Sequence, residues 1–278
     1  MPIVQACSCI LGHDSYFRRV GATVTPPGAL AGWPAAHLYD ESDGLAWRPP
    51  GTSASEYLAV DLGAGVLDLP DYLAVFAHNA HEIGIGSTLA SSADGITWAS
   101  HLSITWTTRA QVLTADPLVA AAPARWWRLG WHGIGSTALR VSEVLLGRRV
   151  RIPEADWLGF DPTDEAADRT TVRTEAGHLE RSRFLGATRR ARVVVPLASR
   201  ARVEDQDPAV GLAYWWDHVA RAGRPTAFSW AAALPGERYR DAFYAHVSSF
   251  RKPLATTARE GPRRLELTVE GARPWPRP

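Results

Sequence analysis

The apolar residues of this chain arrive in short runs, each closed by a turn residue, a pattern that fits strands far better than long helices. Residues 57–62 form one such run and stop at Gly63. Residues 72–77 form a second, which reads as a strand buried on both faces. Residues 82–86 and 102–106 alternate apolar with polar, as a half-buried strand does. Between them Asp94-Gly95 is a tight-turn dipeptide, and residues 125–129 and 138–146 complete the series. Strands at near-regular spacing, joined by turns, predict an antiparallel sandwich or jelly roll for residues 18–152.

The texture then changes. Residues 153–181 are polar and acidic, with Glu154, Asp156, Asp161, Asp164, Glu165 and Asp168 among few apolar positions. Such a stretch predicts a linker, or an arm lying on a neighbour. Strand-like runs return at 191–197, 226–230, 242–248 and 264–269. One helix is expected at about 207–222, because Asp207 is a natural N-cap, Pro208 suits the first helical position and Gly223 ends it. The fold class is therefore mainly β. An N-terminal segment (1–17) precedes a jelly-roll β-sandwich (18–152), the linker or arm (153–181), and a smaller β domain with one helix (182–278).

Composition narrows the function classes. An apolar share of 46% supports real cores, so wholesale disorder is excluded. Twelve Trp, with 23 Gly and 20 Pro, favour many short strands and turns. Thirty basic residues stand against 29 acidic ones, a net charge of +1, without the excess expected of a nucleic-acid binder. No run approaches the ~18 apolar residues that would span a bilayer, and residues 1–11 lack the basic start of an export signal. A soluble protein without membrane insertion is expected. Cys7 and Cys9 stand too close for a disulfide between strands, and no second pair completes a zinc site, so both read as plain thiols.

Catalytic signatures are missing from the sequence. Gly84-Ile-Gly86 and Gly133-Ile-Gly135 lack a third glycine and do not open a helix, so they read as turn glycines. There is no G-x-S-x-G elbow, Walker loop or H-E-x-x-H. His78 and His81 follow a strand and read as a hydrogen-bonded turn, with a metal pair as the alternative. The carboxylate pairs Asp40/Asp43 and Asp68/Asp71 fall in turn-like stretches and read as solvated. A binding protein is expected, not an enzyme.

Four motifs then fall in order over residues 37–147: His37-Leu-Tyr-Asp40 with Gly44-Leu-Ala-Trp47, Glu56-Tyr-Leu-Ala-Val-Asp-Leu-Gly63, Ser92-Ala-Asp-Gly-Ile-Thr-Trp98, and Arg125-Trp-Trp-Arg-Leu129 with Val141-Ser-Glu-Val-Leu-Leu-Gly147. Together they resemble the discoidin family, the coagulation-factor type C domains among galactose-binding-like sandwiches. Trp47, Trp98 and Trp126 would suit its core as large apolar anchors. The resemblance implies ligand-binding loops at one end of the sandwich and, in some members, a structural calcium. Carried over, that ion falls to Asp40, Asp43 and Glu143, although the family's Asp-Gly-Asp-x-x-Thr spacing is altered here to Asp-Glu-Ser-Asp-Gly. No other cofactor is expected. Exposed aromatics for a sugar would be Trp33, Tyr39 and Trp131, with a place in the core or an interface as the alternative for each.

The second half resembles a structural domain of tailed-phage distal tail and tail-tip proteins. The pattern is a strand, the helix around Tyr214-Trp-Trp-Asp-His-Val219, then Gly223-Arg-Pro-Thr-Ala-Phe228 entering a strand. It implies a structural protein of a virion tail tip or baseplate, made in the host cytoplasm. Its partners would be copies of itself in a ring, other tail subunits and a cell-surface glycan. The competing expectation is a free carbohydrate-binding module or adhesin.

Overall fold

The computed structural model describes residues 8–42, 44–114, 118–135, 138–152, 161–165, 169–173, 179–184, 187–198, 204–208, 210–231, 243–251 and 263–273. The fold is mainly β. The strands are β1 (Ser8–Ser15), β2 (Thr23–Thr25), β3 (Ser55–Asp61), β4 (Tyr72–Phe76), β5 (Gly86–Ser92), β6 (Ala99–Thr105), β7 (Gln111–Thr114) and β8 (Trp126–His132). They continue as β9 (Glu143–Ile152), β10 (Asp161–Glu165), β11 (Arg169–Arg173), β12 (Leu179–Phe184), β13 (Ala187–Ala198), β14 (Thr226–Ala231), β15 (Phe243–Arg251) and β16 (Arg263–Arg273). No helix among the described residues is long and apolar enough to cross a membrane.

A five-stranded sheet, β2-β3-β8-β5-β6, forms one layer of the sandwich. The other layer, β7-β4-β9-β1, is one end of a nine-stranded sheet that runs on through β14, β15, β16 and β13 to β10. Strand alternation builds the core between them. In β8, Trp127, Leu129 and Trp131 point inward without exposed surface, and Leu58, Val60 and Leu89 join them from the same sheet. Leu73, Val75, Val144 and Leu146 close the core from the opposite layer. Trp47 enters from a loop, packs tilted against Trp131 with ring centroids 5.1 Å apart, and donates its indole N–H to the Gly28 carbonyl at 2.8 Å. Each such side chain removed from water contributes about 1.5–3 kcal/mol.

Strand β4 is buried on both faces, as its unbroken apolar run predicts. Leu73 and Val75 serve the sandwich, while Tyr72, Ala74 and Phe76 pack into a second cluster with Val112, Leu145, Ala227 and Tyr244. Tyr244 of β15 stacks on Phe76 of β4 at 5.2 Å. The two strands are four places apart in one sheet, which is about 19 Å if the sheet were flat. The long sheet must therefore curl over its own outer face. Strand β1 makes the bend: its pairing with β9 shifts register between Gly12 and Asp14, leaving His13 as a bulge. Two glycines admit the close approach. A Cβ on Gly12 would lie 2.5 Å from the Tyr72 ring, and one on Gly147 only 1.9 Å from the Asp14 carbonyl oxygen.

Ion pairs line the same bend. Arg19, just past β1, bridges Asp14 at 2.5 Å and Asp68 at 2.9 Å, and Arg148 of β9 reaches Asp68 and Asp71 at 3.4 and 3.7 Å. Asp68 and Asp71 are thus part of a part-buried network, contrary to the solvated reading. On the other side Arg18 meets Glu41 at 2.7 Å and Glu143 at 3.3 Å, and Arg224 reaches Glu41 from the segment before β14. Glu143 has no exposed surface, and burial pushes its carboxyl up to about 8 against the pull of Arg18.

Several elements differ from the sequence reading. Residues 1–17 include β1, which pairs with β9 on one side and β14 on the other. Within 153–181, β10 and β11 are strands and β12 begins. Strand β10 sits at the edge of the long sheet, where a polar segment carrying Pro162 is tolerated. Residues 82–84 form a turn, with Asn79 O accepting from Glu82 N and Ile83 N and Gly84 at φ +69°, so β5 starts only at Gly86. The helix is shorter than expected: α1 (Leu212–Trp215) runs into a π-helical turn (Trp216–Ala220). Asp207 caps the preceding turn through Val210 N at 3.1 Å, and the Asp205 carbonyl instead accepts from Ala213 N and Tyr214 N. Gly223, at φ +69°, ends it as predicted. Of the expected core anchors, Trp47 is buried, but Trp98 and Trp126 lie half-buried on the outer face of the five-stranded sheet. Cys7 lies outside the described residues, and Cys9 falls in β1.

Gly147→Ala should lower stability by about 2 kcal/mol or more, because backbone cannot give way as a side chain can. Gly51→Ala, with nothing within 4 Å, should stay within about 0.5 kcal/mol. Urea midpoints of the two variants check this, and equal midpoints would refute the close approach. For Glu143 the native carboxyl titrates above its ordinary value of 4.5. Its contribution to stability is therefore full below about 4.5 and is lost as pH rises toward 8. Glu143→Gln should flatten the decline across that window in a pH series of urea unfolding.

Candidate functional site

The outer face of the five-stranded sheet is set by register. Across β3, β8 and β5 the outward rows are Asp61/Trp126/Ser92, Ala59/Arg128/Ala90, Tyr57/Gly130/Thr88 and Ser55/His132/Gly86. Small residues in the middle rows leave a low floor on which long side chains lie flat. Gly130 is required there: a Cβ would stand 2.8 Å from the Tyr57 ring and 3.2 Å from His132 Nε2. Tyr57 is 37% exposed. His132 meets the Thr88 hydroxyl through Nε2 at 2.7 Å and the Ser55 hydroxyl through Nδ1 at 3.1 Å.

Arg128 lies between two rings, its guanidinium carbon 4.5 Å from the Tyr57 centroid and 4.3 Å from that of Trp98. Such cation–π contacts hold a planar guanidinium face-on and leave its edge free to donate. Trp98 is placed by the 92–98 hairpin. Asp94 accepts from Ile96 N and Thr97 N at 2.8 Å each and from the Ser92 hydroxyl at 2.8 Å. These bonds, led by that from Ile96 N, hold its carboxyl well below the usual range. Gly95 turns at φ +75° directly over the Trp126 ring, where a Cβ would come within 2.9 Å. Beside this, Arg125 grips Asp61 through two bonds of 2.5 Å. The face thus carries fixed aromatic rings and hydroxyls on rigid strands. Such a surface can take a pyranose, whose C–H face stacks on aromatic rings while its hydroxyls exchange hydrogen bonds.

The residues predicted for sugar binding are scattered. Trp131 has no exposed surface and belongs to the core, which corrects its place as a ligand platform. Its neighbours in β8 alternate, so the odd-numbered tryptophans turn inward. Tyr39 is half-buried and packs against the core. Trp33 is half-buried in the loop before β3, with the Arg48 guanidinium 5.1 Å from its ring.

The calcium set is brought together only in part. Glu143 accepts from Glu41 N at 3.1 Å and pairs with Arg18, whose guanidinium stands where a cation would be needed. Asp40, whose charge also acts on Glu143, accepts from Ser42 N at 3.0 Å and meets His37 at 2.9 Å. Asp43 lies outside the described residues. Among the described residues no three His, Cys, Asp or Glu side chains group as metal ligands. A carboxyl driven toward its neutral form beside a buried arginine does not fit calcium, which wants several charged oxygens.

His78 also departs from the reading of a hydrogen-bonded imidazole. It is 2% exposed, neither ring nitrogen has a hydrogen-bond partner, and it packs on Trp106 at 4.8 Å and His81 at 5.8 Å. Burial pushes it down to about 3, so it is a neutral core ring at ordinary pH.

Sequence reasoning singled out none of Tyr57, Arg128 or His132 as a surface group. The signal was present in the alternation of residues 126–132, Trp-Trp-Arg-Leu-Gly-Trp-His, once one knows which parity faces in.

No family model matches the chain, and no curated protein does. Among solved structures, a Ruminococcus gnavus GH29 fucosidase in complex with fucose is 14% identical with a TM-score of 0.39, over 48% of this chain and 26% of the fucosidase. This chain therefore matches only about a quarter of that enzyme's length. Chitosan-binding module 1 of a Paenibacillus chitosanase/glucanase is 18% identical with a TM-score of 0.37, over 48% of this chain and 98% of the module. CBM32-1 of a family 31 glycoside hydrolase from Clostridium perfringens is 12% identical with a TM-score of 0.37, over 48% and 99%.

Proposed function

We propose that this chain is a non-enzymatic binding protein that takes carbohydrate on the outer face of its five-stranded sheet. The observation that carries the reading is the pair of rings, Tyr57 and Trp98, held on that face around Arg128. Both rings rest on hydrogen-bonded strands or a pinned hairpin, so little order is lost when a ligand arrives. His132 is held by Ser55 and Thr88 and puts polar groups beside the Tyr57 ring.

A second reading is a subunit of a phage tail tip or baseplate, assembling in a ring with copies of itself and other tail subunits in the virion. Its support is the β11–β12 hairpin, whose strands, among the described residues, pair with each other and with neither large sheet. A lone two-stranded hairpin is marginal in water, so a neighbouring subunit would supply its second layer.

Electrophoresis through gels containing soluble polysaccharides tests the first reading. Trp98→Ala and Tyr57→Ala should each weaken retardation by about tenfold in Kd, roughly 1.4 kcal/mol. Loss on Trp33→Ala with no change on Trp98→Ala would move the site to the loop end of the sandwich and defeat the sheet-face reading. For the second reading, light scattering over a wide concentration range should show a closed oligomer, and a monomer throughout would end it.

A further inference from the structure

We infer that the sugar bound on this face is acidic, a pyranose bearing a carboxylate that Arg128 takes edge-on. The inference rests on the sheet-face reading above and adds the charge of the ligand. Arg128 differs from Arg125, three residues earlier, which is paired with Asp61 through two hydrogen bonds. Arg128 has only the two rings and no carboxylate ion pair among the described residues. Its partial burial, without an acidic neighbour, disfavours the charged form. A bound anion would relieve that cost.

Geometry narrows the anion. A guanidinium donates only within its own plane, and rings stand 4.5 and 4.3 Å from the central carbon of Arg128. In that plane its paired N–H groups match the two oxygens of a carboxylate. The acidic groups nearest the face are already engaged: Asp61 by Arg125, and Asp94 by the hairpin's own N–H groups and Ser92. Tyr57 keeps 37% of its surface exposed next to the guanidinium, so one uronic acid residue can rest against that part while its carboxylate reaches Arg128. Arginine is suited to this role and lysine is not, because an ammonium neither stacks between rings nor offers a planar fork.

Calorimetric titration of the whole chain with oligogalacturonate, neutral galactan fragments and dextran sulfate tests this. Oligogalacturonate should bind, and added salt should weaken it. Arg128→Gln should lower its affinity by at least about tenfold, and Arg128→Lys should recover only a minor part of the loss. Thermal unfolding of both variants accompanies the titration. If Arg128→Gln fails to fold, the lysine variant and the salt dependence of the parent decide. Equal binding of neutral fragments, unaffected by Arg128→Gln, would overturn the acidic ligand and leave the carbohydrate reading standing. Stronger binding of dextran sulfate than of oligogalacturonate would overturn the carboxylate. Silence toward all three would remove both.

Discussion

The double pairing of β1 holds this molecule together. One strand of eight residues hydrogen-bonds β9 of the sandwich along one edge and β14 along the other. Through it, a four-stranded layer becomes part of a nine-stranded sheet. The bulge at His13 and the glycines at 12 and 147 let that sheet fold back, which brings Tyr244 onto Phe76 and gives β4 a second buried face. Without the bend, Tyr72, Ala74 and Phe76 would face water from the outer side of the sheet.

Charges accompany the bend because backbone turns there in a partly dry place. Arg18 and Arg19 leave the end of β1 on two sides, and each meets a pair of carboxylates. A buried ion pair is a weak source of stability, since desolvation offsets most of the attraction, but removing one partner is costly. These pairs therefore fix geometry more than they add free energy. Arg18 also pulls on Glu143, against the larger effect of burial. Its guanidinium stands 3.3 Å from that carboxyl, which is too buried to hold full charge easily.

The candidate site has a different physical origin. It depends on strand parity: every second residue of β3, β8 and β5 faces out, and the outward set combines rings, one arginine and small residues. Rigidity comes from the ladders beneath and from Asp94, which ties the hairpin that delivers Trp98. The core below is made of the opposite parity, so the surface and the interior are specified by the same seven residues of β8.

By itself the sequence determined the class of fold and most of its strands, because period-two alternation and turn dipeptides such as Asp94-Gly95 are local physics. It also marked β4 as doubly buried, since a run with no polar position has no side to show to water. It did not determine what lies above β4, because the partner, Tyr244, comes from β15, far along the chain. Strand β10 was hidden by its polarity, which an edge position permits, and β1 by its location before the first recognisable motif. Trp126 and Trp127 look alike in sequence, and a one-residue choice of register puts one outside and the other inside. That choice is made by the whole sandwich. So only the tertiary structure could separate Trp131, a core residue, from Tyr57, Trp98 and Arg128, which meet on the surface from different strands and a hairpin.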